Sequence, residues 1–127
     1  MIDQTVIIPH TTASEIYDVL LDSTKHTVLT GDVSDINPKV GGSFSVFGGY
    51  ATGQIVRLEP GAIVEQTWRA SDWPEGHFST ICFVLSDVEG GAQVHFTQTD
   101  LPAGTEKEFE AGWQDFYWGP LVDYFSH

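Results

Sequence analysis

Residues 105–125 (TEKEFEAGWQDFYWGPLVDYF) contain the one long helical pattern in this sequence, and aromatic residues dominate its apolar side. At about 100° per residue, the large side chains of this stretch fall within an arc of roughly 100°. A helix with so aromatic a face needs a large apolar surface to pack against, and we expect the rest of the chain to provide it. The residues on this face are Phe109, Trp113, Phe116, Tyr117, Pro120 and Tyr124.

Three further features of this helix are predicted. Thr105 and Glu108 have the spacing of a capping box, in which a side-chain oxygen accepts a bond from a free backbone amide. Gly119-Pro120 predicts a kink, because proline lacks the amide donor and its ring clashes with the preceding turn. Trp118 lies opposite the aromatic face, so it either packs on other helices or marks a contact surface.

The remaining sequence mostly has the pattern of strands separated by turns. A β-branched run at residues 4–8 predicts the first strand. Helical spacing that starts with a capping box at Thr12 predicts a helix to about residue 22, and a second short helix covers residues 23–30. Further strands are expected at residues 33–36, 43–47, 50–59, 62–70, 77–88 and 92–101.

Alternation along the last three predicted strands separates a buried face from a polar one. The side chains expected to point inward are Val64, Gln66, Trp68, Ile81, Phe83, Leu85, Val94, Phe96 and Gln98. Short turns, with the clearest hairpin signal at residues 89–91, predict an antiparallel meander. The predicted fold class is therefore α+β: a curved antiparallel sheet of about six or seven strands around a long C-terminal helix, with two short helices after the first strand.

Five motifs in this order resemble one protein superfamily. They are residues 16–22 (IYDVLLD), 41–44 (GGSF), 53–61 (GQIVRLEPG), 63–69 (IVEQTWR) and 112–121 (GWQDFYWGPL). The chain is similar over essentially its whole length to the START-related (SRPBCC) superfamily. Within it, the likeness is to the branch named for the activator of the ninety-kilodalton heat-shock protein ATPase (Aha-type). The resemblance implies the helix-grip fold and, as in many relatives, a small apolar molecule enclosed between the sheet and the long helix.

Composition and charge exclude several functional classes. The 127 residues include 18 acidic side chains against 5 Lys and Arg, a formal charge of −13. Such a surface repels phosphate backbones and anionic lipid headgroups, so neither nucleic acid nor a membrane is an expected partner. A hydrophobic content of 41% predicts a single domain over residues 1–127. A lone cysteine, Cys82, and a start without signal-peptide features predict a cytoplasmic protein.

Histidines are the natural acid–base candidates near neutral pH. None of them has metal-ligand spacing to another His, Cys or carboxylate, so no metal, no cofactor and no catalytic residue is expected. His77 is the histidine placed nearest a cavity mouth, although a turn residue bonded to the backbone is the simpler interpretation. The full set is His10, His26, His77, His95 and His127.

The inward-facing side chains form the candidate ligand site. They combine an apolar, aromatic lining with a few polar groups, which is typical of small-molecule sites, although a filled core has the same composition. Trp73 is expected to lie outside this set, together with Trp118. The predicted ligand-binding residues are Phe44, Val46, Tyr50, Gln66, Trp68, Ile81, Phe83, Phe96, Gln98, Trp113, Phe116 and Tyr117.

Two functional hypotheses from different classes remain. The main hypothesis is non-enzymatic binding of a small hydrophobic or aromatic molecule. The alternative is an interaction protein, resembling a chaperone ATPase activator, that docks on a protein partner or forms a homodimer. A weaker alternative is a cyclase- or hydrolase-like enzyme that uses His77 or a tyrosine. An internal void of several hundred Å³ favours the first hypothesis, and a filled interior favours the second.

Overall fold

A single antiparallel sheet organises the computed structural model, which describes residues 1–126. Its strands are β1 (Ile2–Pro9), β2 (Asp35–Ile36), β3 (Ser43–Val46), β4 (Ala51–Glu59), β5 (Ile63–Ala70), β6 (Ser79–Val88) and β7 (Gly91–Thr99). Within the described residues they pair in the order β1-β7-β6-β5-β4-β3-β2. The chain therefore runs as a meander from β2 to β7, and β1 closes the sheet against β7. The predicted α+β class is confirmed.

Two helical regions cover one face of this sheet. Helices α1 (Ala13–Leu21) and α2 (Ser23–Thr30) follow β1, as predicted. The C-terminal region consists of α3 (Glu106–Trp113), a π-helical turn (Gln114–Trp118) and α4 (Gly119–Tyr124). Helix α1 packs against β6, and α2 packs against α4 and the π-helical turn. The predicted helix-grip fold is confirmed.

The inner face of the sheet follows the predicted alternation. All nine side chains expected to point inward from β5, β6 and β7 are buried, and their neighbours along the strands are partly exposed. The β6–β7 hairpin is confirmed, since Val88 pairs with Gly91 and Gly90 takes a φ of 80°. Glycine adopts this left-handed conformation without the steric penalty that a Cβ atom brings.

The two predicted helix caps have different outcomes. Thr12 caps α1, because its Oγ1 accepts a hydrogen bond from the backbone N–H of Glu15 at 3.2 Å. The capping box predicted at Thr105 is wrong. Its backbone is helical, with φ −99° and ψ −6°, whereas a capping residue takes an extended conformation. Its hydroxyl instead donates to the carbonyl of Pro102 at 2.7 Å.

The π-helical turn changes which side of the C-terminal helix is buried. The N–H of Gly119 bonds the carbonyl of Gln114, five residues earlier, whereas an α-helix bonds four residues earlier. This turn therefore contains one residue more than an α-helical turn. A kink is predicted at Gly119-Pro120, and the departure from α-helical hydrogen bonding lies directly before these two residues. Positions 116, 117 and 120 would be buried in a regular helix, but the buried residues are Tyr117, Trp118 and Leu121.

Two predictions are wrong for this reason. Phe116, expected on the buried face, is 58% exposed, and Trp118, expected outside, is 2% exposed. The Nε1 of Trp118 donates to Oε1 of Gln4 at 2.8 Å. The Nε2 of Gln4 in turn donates to the carbonyl of Glu110 at 3.1 Å. One side chain of β1 therefore contacts both the helix before the π-helical turn and the last residue of that turn.

The external position predicted for Trp73 is also wrong. The turn between β5 and β6 folds over the sheet, and Trp73 is buried against the rings of Trp68 and Phe109, each with its centroid 5.4 Å away. Arg69 holds this turn, because its Nη2 donates to the carbonyls of Trp73 and Pro74 at 2.8 and 3.2 Å. The dipeptide Trp73-Pro74 has the pattern of an exposed turn, and only this tertiary contact buries it.

Candidate functional site

A cavity of about 380 Å³ lies between the C-terminal helix, the sheet and the turn that joins β3 to β4. Most of its wall is aromatic, and the aromatic rings come from all three of these elements. The lining consists of Asp32, Phe47, Tyr50, Trp68, Glu108, Phe109, Gly112, Trp113, Phe116 and Tyr117. Because Phe116 and Tyr50 are 58% and 39% exposed, the cavity reaches the surface beside them.

The turn between β3 and β4 places Phe47 over the cavity. Phe47 has a φ of 55°, in the left-handed region, and Gly48 and Gly49 follow with 64° and 97°. A left-handed conformation costs a bulky residue about 1–2 kcal/mol, so surrounding contacts must hold it. The ring of Phe47 packs edge-on against Phe116 and Tyr117, at centroid distances of 5.9 and 5.5 Å. The residue with the strained backbone, Phe47, is therefore also a residue of the cavity wall.

Gly112 leaves the helical side of the cavity open. A Cβ atom built at this position would meet no atom within 4 Å. Glycine inside a helix is about 1 kcal/mol less favourable than alanine, and no close packing explains its presence here. The neighbouring Trp113 and Phe109 are buried on either side of this gap. The missing side chain thus adds to the empty volume.

A chain of buried hydrogen bonds lies behind Trp113 and Trp68 in the cavity wall. The Nε1 of Trp113 donates to Oε1 of Gln98 at 2.8 Å. The Nε2 of Gln98 donates to Oγ of Ser79 at 3.0 Å, and that hydroxyl donates to the carbonyl of Trp68 at 2.7 Å. Every member of this chain is buried, so each polar group has a partner that replaces water. The orientation of the Trp113 ring is therefore fixed.

The interior beyond Trp68 and Tyr117 is filled. Among the described residues, a void of about 10 Å³ lies there, close to the smallest space that holds one water molecule. In this region Nε2 of His26 and the hydroxyl of Tyr117 are hydrogen-bonded at 3.0 Å. Burial lowers the pKa of His26 to about 4 and raises the pKa of Tyr117, so both groups are neutral at pH 7. This pair therefore forms a buried hydrogen bond between two uncharged groups.

Two carboxylates, Asp32 and Glu108, lie at the exposed rim of the cavity. Among the described residues, neither carboxylate forms a salt bridge, and no Lys, Arg or His lines the cavity. Burial raises the pKa of Tyr50, and the negative charges of Asp72 and Glu108 raise it further. The mouth of the cavity is therefore electronegative.

The family described as "Activator of Hsp90 ATPase homolog 1-like protein" matches residues 10–126. The chain belongs to this family. The resemblance predicted from the five sequence motifs is confirmed.

Relatives in this Hsp90-activator-like family differ in length and in sequence. The chain is 28% identical over 117 residues to the activator of 90 kDa heat shock protein ATPase homolog 1 of Mus musculus, covering 92% of this chain and 35% of that protein. It thus spans about a third of the length of the curated relatives it matches.

Solved structures of two relatives have the same fold. One is an HSP90 activator from Plasmodium falciparum, with a TM-score of 0.85, 22% identity and coverage of 93% and 90% of the two chains. The other is the Aha1 dimer from Colwellia psychrerythraea, with a TM-score of 0.77, 20% identity and the same coverage. At these identities the likeness shows the fold alone.

The structure divides the twelve predicted ligand-binding residues of this family member into three groups. Tyr50, Trp68, Trp113, Phe116 and Tyr117 line the cavity of about 380 Å³. Phe44, Val46, Gln66 and Phe83 border only the small void behind it. Ile81, Phe96 and Gln98 are fully enclosed by neighbouring side chains and border neither space. Gln98 acts on the cavity only through its bond to Trp113.

Sequence reasoning missed five lining residues. Phe109 was expected on the buried helix face but not in the site, and Phe47 was expected inside a strand. Asp32 comes from the loop after α2, far from the predicted site in sequence, and Glu108 was assigned only to the start of the helix. The one available signal was Gly112, because a glycine within a helical pattern indicates a special packing or functional reason.

The four histidines of the described residues lie away from the cavity or inside the core. Nε2 of His77 bonds the carbonyl of Asp100 at 2.7 Å, as expected for a turn residue, and His127 lies outside the described residues. Within residues 1–126, no three His, Cys, Asp or Glu side chains are grouped as metal ligands. None of the helices in the described part of the chain is long and apolar enough to span a bilayer.

Proposed function

We propose that this chain binds a small, largely apolar or aromatic molecule in the cavity beside Gly112. The observation that carries this proposal is an aromatic-walled space of about 380 Å³ whose helical side is kept open by a glycine. This volume falls within the range of roughly 300–1,000 Å³ that is usual for ligand pockets. A ligand seated there would cover the exposed parts of Phe116 and Tyr50, so apolar burial would supply its affinity.

The polar groups around the cavity support binding more than catalysis. The deep wall is locked by the bonds from Trp113 to Gln98 and from His26 to Tyr117. His26 and Tyr117 are both uncharged near pH 7, and they are already hydrogen-bonded to each other. Nε1 of Trp68 is buried and makes no hydrogen bond within the described residues, and such a group needs a partner from water or from a ligand.

Filling the space at position 112 tests this proposal. Gly112→Leu places a side chain in the cavity without a clash, because a Cβ there meets no atom within 4 Å. Ala111→Leu is the matched control, since residue 111 is the exposed neighbour and does not line the cavity. The probe is 1-naphthalenemethanol, which is uncharged, and the measurement is isothermal titration calorimetry on all three proteins.

We expect saturable binding by the wild type and by Ala111→Leu, and binding at least about tenfold weaker by Gly112→Leu. A melting temperature of Gly112→Leu no lower than that of Ala111→Leu would confirm that the loss of binding is local. Absence of binding by the wild type, or equal affinity in all three proteins, would overturn the proposal.

Activation of a chaperone ATPase is the second candidate function. The family match and the name of the mouse relative favour it, although the chain spans only 35% of that relative. The experiment measures the ATPase rate of a 90 kDa heat-shock protein with and without the purified chain. A concentration-dependent rise in rate supports this function, and an unchanged rate at saturating concentration excludes it for this chain alone.

A homodimer is also proposed, because the relative from Colwellia psychrerythraea is described as a dimer. Light scattering coupled to size exclusion should then give twice the chain mass of 14.0 kDa. A mass of one chain at high protein concentration would remove this proposal. The cytoplasmic location stays a prediction from the sequence.

A further inference from the structure

The charges at the cavity mouth are all of one sign. Asp32 and Glu108 line the cavity, and Asp72 lies close enough to Tyr50 to act on its hydroxyl. The salt bridges of the described residues use other carboxylates, those of Asp3, Glu59, Glu65 and Glu106. The rim carboxylates thus have no cationic partner within the described part of the protein.

The wall behind these carboxylates is aromatic. The ring faces carry partial negative charge, so they attract a cation placed over them, and tryptophan does so most strongly. Trp68 and Trp113 lie in this wall with their ring centroids 5.5 Å apart, and Phe47, Phe109 and Phe116 add three rings without polar atoms. The aromatic rings and the carboxylates therefore both attract positive charge.

The sign of the ligand charge decides how it fits this arrangement. A neutral apolar molecule gains burial but nothing from Asp32 and Glu108. An anion gains burial and is repelled by both carboxylates. A cation gains burial, ring attraction and attraction to the carboxylates, and it leaves no buried charge without a partner.

We propose that the natural ligand is a small organic cation: an apolar or aromatic body that carries an amine or quaternary ammonium group. The body lies against the aromatic wall near Gly112, and the cationic group lies at the rim between the rings and the carboxylates of Asp32 and Glu108. This proposal rests on the proposed function, because it names the ligand class of the same cavity.

The test uses three naphthalene probes of nearly equal size and different charge. These are 1-naphthylmethylamine, which is cationic at pH 7, neutral 1-naphthalenemethanol and anionic 1-naphthoate. Dissociation constants are measured by calorimetry at low salt and again at about 0.5 M sodium chloride, where surface charges are screened. We expect the amine to bind on the order of tenfold tighter than the alcohol, the acid to bind weakest, and the differences to shrink at high salt.

Two double variants separate the rim carboxylates from the overall negative charge. Asp32→Asn with Glu108→Gln removes two charges at the rim, and Asp115→Asn with Glu110→Gln removes two exposed charges that do not line the cavity. The rim variant should reduce the ratio of amine affinity to alcohol affinity, both measured on that variant, to less than about threefold. The control variant should keep most of the advantage.

The outcomes distinguish this proposal from the function on which it rests. Binding of the alcohol and the amine with equal affinity would overturn the cationic ligand and leave the cavity function intact. An undiminished amine preference in the rim variant would also overturn it, because the preference would then not depend on the carboxylates of Asp32 and Glu108. Failure of the wild type to bind any of the three probes would overturn both.

Discussion

The interface between the sheet and the C-terminal helix has two halves with similar side chains and different packing. In the filled half, the rings of Trp113 and Phe96 lie with centroids 4.4 Å apart and no cavity remains between them. In the open half, a space of about 380 Å³ is left beside the same helix. The filled half is Phe83, Phe96, Gln98 and Trp118, the open half is Phe47, Tyr50, Gly112 and Phe116, and Trp113 borders both.

The difference shows that aromatic residues alone do not make a cavity. Both halves are rich in large rings, so composition does not separate them. Two backbone features do: the helix lacks a side chain at Gly112, and the β3–β4 turn holds Phe47 with a φ of 55°. The first removes volume from the wall, and the second places the ring of Phe47 in the wall against Phe116 and Tyr117. The predictions below test whether the two halves respond differently to substitution.

The largest expected effect is at Trp113, on the border between the halves. Trp113→Ala should lower the free energy of unfolding by about 3–5 kcal/mol, because it creates a void and leaves Oε1 of Gln98 without its donor. Phe116→Ala, in the open half, should change it by less than about 1 kcal/mol, since the ring is 58% exposed. Urea titration measures both, and similar losses for the two variants would contradict the division into halves.

The second prediction concerns pH and the filled interior. The pKa of His26 is about 4 in the folded protein and about 6.5 in an unfolded chain, so between these values the unfolded state binds the extra proton. The stabilisation from neutral His26 is present above pH 6.5 and is lost as the pH falls towards 4. At 1.36 kcal/mol per pH unit, the loss is about 3 kcal/mol.

His26→Gln should therefore flatten the fall in unfolding free energy between pH 7 and pH 4.5 relative to the wild type. His95→Gln is the control, because His95 is a partly exposed residue bonded to Asp3. The wild type and His26→Gln carry the same carboxylates, so the carboxylate contribution cancels between these two proteins. Identical pH dependence in wild type and His26→Gln would show that His26 is not buried as described.

The third prediction compares two glycines, one in each kind of environment. A Cβ at Gly53 in β4 would overlap the carbonyl oxygen of Thr67, so Gly53→Ala should destabilise the protein by about 1–3 kcal/mol. Gly112→Ala meets open space and should stabilise it by up to about 1 kcal/mol, because alanine favours helices. Thermal and urea unfolding check the signs. A destabilising Gly112→Ala would mean that the space beside it is already filled.

The sequence predicted most of the sheet for a physical reason. Side chains alternate strictly along strands, so Val64, Gln66 and Trp68 had to share one face once β5 was recognised. The C-terminal end of α2 was predicted from Gly31, the glycine that follows the helix. These features depend on residues that are close in sequence, so the sequence alone predicts them.

The cavity depends on features that patterns of neighbouring residues do not predict. The π-helical turn moved Trp118 inward and Phe116 outward by inserting one residue, and a periodicity of 3.6 residues cannot anticipate such an insertion. Phe47 continues a β pattern in the sequence, but in the folded protein it takes a left-handed conformation and packs against Phe116 and Tyr117. The filled positions of Ile81 and Phe96 likewise depend on how closely the helix approaches the sheet.

The most direct test of the division into a filled and an open half follows the tryptophan indole N–H signals by NMR during titration with 1-naphthalenemethanol. Trp68 and Trp113 line the cavity, whereas the indole of Trp118 is bonded to Gln4 outside it. The signals of Trp68 and Trp113 should shift saturably with one dissociation constant, and the signal of Trp118 should shift far less. Single Trp→Phe variants assign the signals. A Trp118 shift as large as the others, or no saturable shift at Trp68 and Trp113, would contradict the account.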